Sequence, residues 1–135
     1  MPTVVPLYLA TAAVFFLIDL VWLGVVARGF YREQMGPLMA DSINWPAAIV
    51  FYLLWVVGLI YFAVLPALGA GSWPRALLVG AAFGFITYAT YDLTNLATLR
   101  DWPLMLTLVD IAWGTALGGV VATVSYLVGR NVLGM

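Results

Sequence analysis

Apolar residues fall in four long blocks along this chain, and most polar residues lie between them. The blocks run from about 4–27, 46–65, 74–97 and 103–128. Each is long enough to cross the hydrocarbon core of a bilayer, which takes ~20 residues of helix. The strict alternation of a membrane β-strand is absent, so a barrel is not expected. The pattern predicts an all-α protein, a four-transmembrane-helix bundle, with residues 1–135 forming one integral membrane domain. The longest connection, Arg28 to Trp45, begins with charged and apolar residues at roughly helical spacing. It predicts a short amphipathic segment lying in the interface between helices 1 and 2. Gly36-Pro37 should end or bend it.

Three spans share a starting pattern: Asn44-Trp45-Pro46, Ser72-Trp73-Pro74 and Asp101-Trp102-Pro103. Asn, Ser and Asp are good helix caps, because the side-chain oxygen accepts a free backbone N–H. Proline fits the first turn, where its missing N–H loses no bond. Tryptophan prefers the headgroup level. The first span is too long for a signal-peptide core and lacks a following small-x-small site, so it is expected to be retained.

Composition narrows the chemistry. Hydrophobic residues make up 65% of the 135 and charged residues 8%, against roughly 25% charged in soluble domains. So little charge cannot cover a wet surface, and nucleic-acid binding is excluded with it. There is no Cys, His or Lys. This removes thiolate and imidazole metal ligands, Ser-His and Cys-His pairs, and any Schiff-base cofactor. No metal centre and no cofactor are expected. With alternating spans, Arg28, Arg32 and Arg100 share one side, while Arg75 and Arg130 share the other. Three arginines against two leave the orientation open.

Three aspartates lie inside the spans: Asp19, Asp92 and Asp110. Carboxyl groups at that depth are costly and usually face the protein interior. At ~1.5 Å rise per residue, Asp19 lies ~5 Å past the middle of its span and Asp92 ~9 Å past. Asp110 lies ~9 Å before the middle of an antiparallel span. All three therefore belong to one leaflet, on the side of Arg28, Arg32 and Arg100. Asp19 and Asp110 each open an Asp-x-x-Trp string, with Trp22 and Trp113 on the same helix face. Tyr88, Asp92 and Asn95 share a face of the third span, and Thr87, Thr90, Tyr91, Thr94 and Thr98 crowd the same end. The second span carries no charge and reads as an apolar wall. Gly80 and Gly84, and Gly114 and Gly118, form two GxxxG motifs suited to helix packing inside the bundle. Because Asp110 shares a stripe with Gly114 and Gly118, it is expected to be the most buried of the three.

Several strings resemble a family of bacterial membrane proteins known as domain of unknown function 2177. They are Ile18-Asp19-Leu20-Val21-Trp22-Leu23-Gly24, Phe30-Tyr31, Met35-Gly36-Pro37-Leu38-Met39, Tyr91-Asp92-Leu93-Thr94-Asn95-Leu96-Ala97-Thr98-Leu99 and Asp110-Ile111-Ala112-Trp113-Gly114. The resemblance covers nearly the whole chain. It implies a small multi-pass protein of the bacterial inner membrane and assigns no activity.

The residues themselves point first to an intramembrane carboxylate and aromatic pocket for a lipid or other apolar small molecule. Asp19, Trp22, Tyr88, Tyr91, Asp92, Asn95, Asp110 and Trp113 are its candidate lining. Arg28, Arg32 and Arg100 are candidates for holding a charged headgroup. Asp19, Asp92 and Asp110 are the catalytic candidates if the site processes its ligand. A desolvated carboxyl that keeps its proton would serve as a general acid. Three carboxylates could instead hold Mg²⁺ against a diphosphate. The alternative is an accessory or structural subunit with a membrane-protein partner. Proton or ion transport ranks last, because nothing ionisable continues through the other leaflet.

Overall fold

The computed structural model describes residues 3–135. Four helical stretches are long and apolar enough to cross a membrane: Val4–Val26, Trp45–Ala70, Trp73–Thr98 and Leu104–Asn131. The first consists of α1 (Val4–Val21) and a π-helical turn, Trp22–Val26. A short helix, α2 (Arg28–Met35), follows, then a 3₁₀ turn at Gly36–Leu38. The second stretch comprises α3 (Trp45–Leu59), a π turn at Ile60–Val64 and α4 (Leu65–Ala70). The third and fourth are α5 (Trp73–Thr98) and α6 (Leu104–Asn131). No strand occurs among the described residues.

The second stretch runs five residues beyond the 65 expected. Pro66 stands just past that end, and a proline inside a regular α-helix offers no N–H and crowds the preceding turn. The chain widens just ahead of it instead. Leu65 N–H bonds to the carbonyl of Ile60, five residues back, and the helix continues past the proline. Gly36 behaves as its sequence suggests: its φ of 51° lies in the left-handed region, and α2 ends there.

Two of the three expected caps form. The side chains of Asn44 and Ser72 accept from the backbone N–H of Ala47 and Arg75, at 3.2 and 3.3 Å. Asp101 does not cap. Its φ is 62°, and α6 starts later, at Leu104, behind Pro103. A residue in the left-handed region belongs to the tight turn that precedes the helix, not to its cap.

Tightest packing is between α5 and α6, where the two GxxxG motifs meet. A Cβ built on Gly84 would overlap the carbonyl of Gly114, and one on Gly118 the carbonyl of Gly80. Only glycine permits backbones that close. Across the bundle, α1 joins α6 through a buried hydroxyl pair, Thr11 with Ser125, at 2.5 Å. Phe15 of α1 packs on Trp55 of α3, with ring centroids 4.9 Å apart.

The apolar core is concentrated toward the bundle end where α1 begins and α6 finishes. Leu7, Val64, Ala67, Ala76, Val121 and Tyr126 fill it. The outer surface is apolar as well: Leu17, Leu54, Leu78 and Val25 are each more than 60% exposed. Side chains of this kind pointing outward are what a lipid environment favours.

Candidate functional site

The other end of the bundle holds a cavity of about 500 Å³. Every span contributes to it. From α1 comes Asp19; from α3, Ala48, Phe51 and Tyr52; from α5, Thr87, Tyr88, Tyr91 and Asp92; from α6, Leu106, Asp110 and Trp113. The interfacial segment adds Tyr31, Met35, Met39 and Ile43, and the turn before α6 adds Trp102. The three aspartates expected in one leaflet thus line one cavity. The second span is more than an apolar wall, since it brings the Tyr52 phenol to the site.

The carboxyl groups differ in their surroundings. The indole N–H of Trp113 donates to Asp19 Oδ1 at 3.2 Å. Tyr31 donates its hydroxyl proton to Asp110 Oδ1 at 2.7 Å. Trp22 donates in turn to the Tyr31 hydroxyl oxygen at 3.0 Å. Asp92, 0% exposed, is the most buried of the three, against 6% for Asp19 and 8% for Asp110. The expectation that Asp110 would be deepest is therefore overturned. Tight glycine contact at Gly114 and Gly118 draws α5 onto α6, and this buries Asp92 more than Asp110. Neither Asp92 oxygen accepts from an N–H or hydroxyl among the described residues; the neighbour within hydrogen-bonding reach is the Asp110 carboxyl. A buried carboxyl whose one neighbour of this kind is another carboxyl stands out, because the two cannot both be ionised at low cost.

The two Asp-x-x-Trp strings are used crosswise. Each tryptophan serves the other helix's carboxyl, Trp113 directly and Trp22 through Tyr31. The two indoles stack with centroids 4.2 Å apart and planes 6° from parallel. A pair of this kind adds about 0.5–1.5 kcal/mol beyond its buried area. Trp22 lies behind Trp113 and is not part of the cavity lining; it borders a separate apolar groove with Leu17, Ile18, Val21, Val26 and Trp113. Its place is to support the site from outside.

Other candidates are also placed elsewhere. Asn95 does not line the cavity. Arg28, Arg32 and Arg100 are exposed, and none contributes to the lining. Of the threonines, only Thr87 reaches the cavity; it accepts from the Trp55 indole at 3.0 Å. Thr90 and Thr98 are exposed and bond back to the carbonyls of Ile86 and Thr94 at 2.7 and 2.8 Å. Thr94 bonds likewise to Thr90. This is the usual resting place for a threonine hydroxyl on a helix in lipid. Among the described residues, no three His, Cys, Asp or Glu side chains converge closely enough to hold one metal ion.

Trp102 and Tyr31 are among the lining residues that sequence reasoning missed. Trp102 shares its Trp-Pro pattern with Trp45 and Trp73, which are 59% and 52% exposed. It is instead 7% exposed, its N–H donating to Thr107 at 3.0 Å and its ring set edge-on to Tyr91. In the sequence, Tyr31 belongs to an amphipathic segment and to the Phe30-Tyr31 string. Burial, and then the hydrogen bond to Asp110, push its phenol above the usual tyrosine range. It therefore keeps its proton and remains a donor.

The model of the family described as "Predicted membrane protein (DUF2177)" matches residues 4–127. The chain belongs to that family. No curated protein matches the DUF2177 chain, and no solved structure does. The match takes in all three aspartates, both stacked tryptophans and the interfacial Tyr31.

Proposed function

We propose that this DUF2177 protein binds a lipid or other apolar small molecule in the cavity, by the molecule's polar end, within the inner membrane of a bacterium. The observation that carries this reading is Asp92. It is a fully buried carboxyl that receives no N–H or hydroxyl donor and lies against the Asp110 carboxyl, in the lining of a 500 Å³ cavity. That volume is in the range of small-molecule sites, which combine apolar walls with a few polar groups. Here the walls are aromatic and thioether side chains, and the polar groups are carboxyls and phenols. Asp19, Asp92 and Asp110 are also the groups placed to act as acids on whatever is bound.

Transport is not favoured by this arrangement. Beyond the aspartates, the bundle is filled by Leu7, Val64, Ala67, Val121 and their neighbours, with no carboxyl to pass a proton onward.

Native mass spectrometry of the protein, released gently from membranes, tests the proposal. The wild type should carry one apolar small molecule per chain. An Ala48→Trp variant, which places an indole in the cavity, should lose it while keeping its helical content. A stoichiometric protein partner in place of the small molecule would reject the binding reading and favour an accessory subunit.

A further inference from the structure

Hydrogen-bonding capacity around the cavity is one-sided. From this we propose that the bound molecule presents a cationic, hydrogen-donating head, an ammonium group, on an apolar body. The proposal rests on reading the cavity as a binding site and specifies the class of ligand.

Acceptors dominate the lining. Asp19 and Asp110 each receive one donor from the protein, from Trp113 and Tyr31, and Asp92 receives none. Each carboxyl oxygen accepts about two hydrogen bonds, so most of this capacity is unspent. The lining also holds donors, but fewer: the phenols of Tyr52, Tyr88 and Tyr91 offer one O–H each, and the others are committed. The Trp102 indole is bonded to Thr107, and the Thr87 hydroxyl bonds its own helix backbone.

Positive charge is absent from the lining. The chain contains no Lys or His. Arg28, Arg32 and Arg100 sit exposed, outside the cavity. An anionic head, such as a phosphate, would add like charge beside three carboxyls in a medium of low dielectric, with no guanidinium to offset it. A hydroxyl head brings one donor and no charge. An ammonium brings three donors and no acceptor, and its charge favours the ionised form of a carboxyl set beside it. The aromatic walls, Tyr88 and Trp113 among them, favour a cation over their faces as well.

The test compares three probes of equal chain length: dodecylamine, dodecanol and dodecyl phosphate. Each is titrated calorimetrically into the protein in phosphatidylcholine nanodiscs, and the heat of protein-free nanodiscs is subtracted. Dodecylamine should bind saturably near one per chain, at least ten-fold tighter than dodecanol, and dodecyl phosphate should not bind. Asp92→Asn preserves the side-chain shape and should weaken dodecylamine at least ten-fold while leaving dodecanol unchanged. Should Asp92→Asn fail to fold by circular dichroism, Asp110→Asn carries the same expectation. Tyr8→Phe, which alters a hydroxyl bonded to Leu53 away from the cavity, should match the wild type. Equal binding of amine and alcohol, or tighter binding of the phosphate, would overturn the cation preference and leave the cavity's binding role standing. Saturable binding of no probe would count against both.

Discussion

Tyr31 ties the interfacial helix to the membrane-embedded carboxyls, since one phenol accepts from Trp22 and donates to Asp110. Removing that hydroxyl leaves both neighbours short of a partner. Tyr31→Phe is expected to lower stability by about 1–3 kcal/mol, read from thermal unfolding in detergent. The pH dependence has a definite sign. Burial holds the folded-state phenol above the unfolded value, which is about 10. Its contribution is therefore fully present below that value and falls as pH rises beyond it. Wild type should lose stability more steeply than Tyr31→Phe between neutral and strongly alkaline pH. Equal slopes would show that the phenol is not held as described. At this scale the aspartates were legible, because a carboxyl in an apolar run is a local signal. Tyr31 and Trp102 were not. A tyrosine between two arginines reads as interfacial, and a Trp-Pro pair reads as a helix start. Only the turn at Leu99–Pro103, with Asp101 in the left-handed region, directs Trp102 inward.

The helices were legible for a different reason. Spans of ~20 apolar residues have few structural alternatives in lipid, where every backbone group must be bonded within the element. Their ends were less legible, because Pro66 stops a regular α-helix but not one that widens to a π turn. The GxxxG motifs could be seen in sequence, and the structure supplies their partners: each other. That pairing makes a direct prediction. Gly114→Ala would drive a methyl group into the Tyr88 ring, and Gly84→Ala would drive one into the Gly114 backbone. Tyr88 is a side chain and can shift, whereas the backbone cannot without parting the helices. Both variants should destabilise the bundle, by about 1–3 kcal/mol for Gly114→Ala and more for Gly84→Ala. Gly24→Ala meets open space and should change little. Unfolding in a denaturing detergent series would rank the three.

Across the whole molecule, the two ends of the bundle have opposite character. One is closed by packed aliphatic side chains, and the other is opened by carboxyls under an amphipathic segment. This polarity was legible from depth counting alone, since helix rise converts sequence position into depth. Which aspartate lies deepest was not, because that depends on how closely α5 approaches α6. Four spans place the connection containing Ser42 and the helix end at Ala70 on opposite faces. With no native cysteine, Ser42→Cys and Ala70→Cys should each react with an impermeant maleimide from one face of sealed vesicles, and from different faces. Reaction of both from the same face would reject the four-span arrangement.

The central claim is that Asp19, Asp92 and Asp110 surround one occupied cavity. An experimental structure determined in a lipid environment addresses it directly. Elongated density is expected among Tyr52, Tyr88 and Trp113, with its polar end within hydrogen-bond distance of Asp92. Asp92 turned toward lipid, or a cavity closed by the protein's own side chains with no density between the carboxyls, would contradict it.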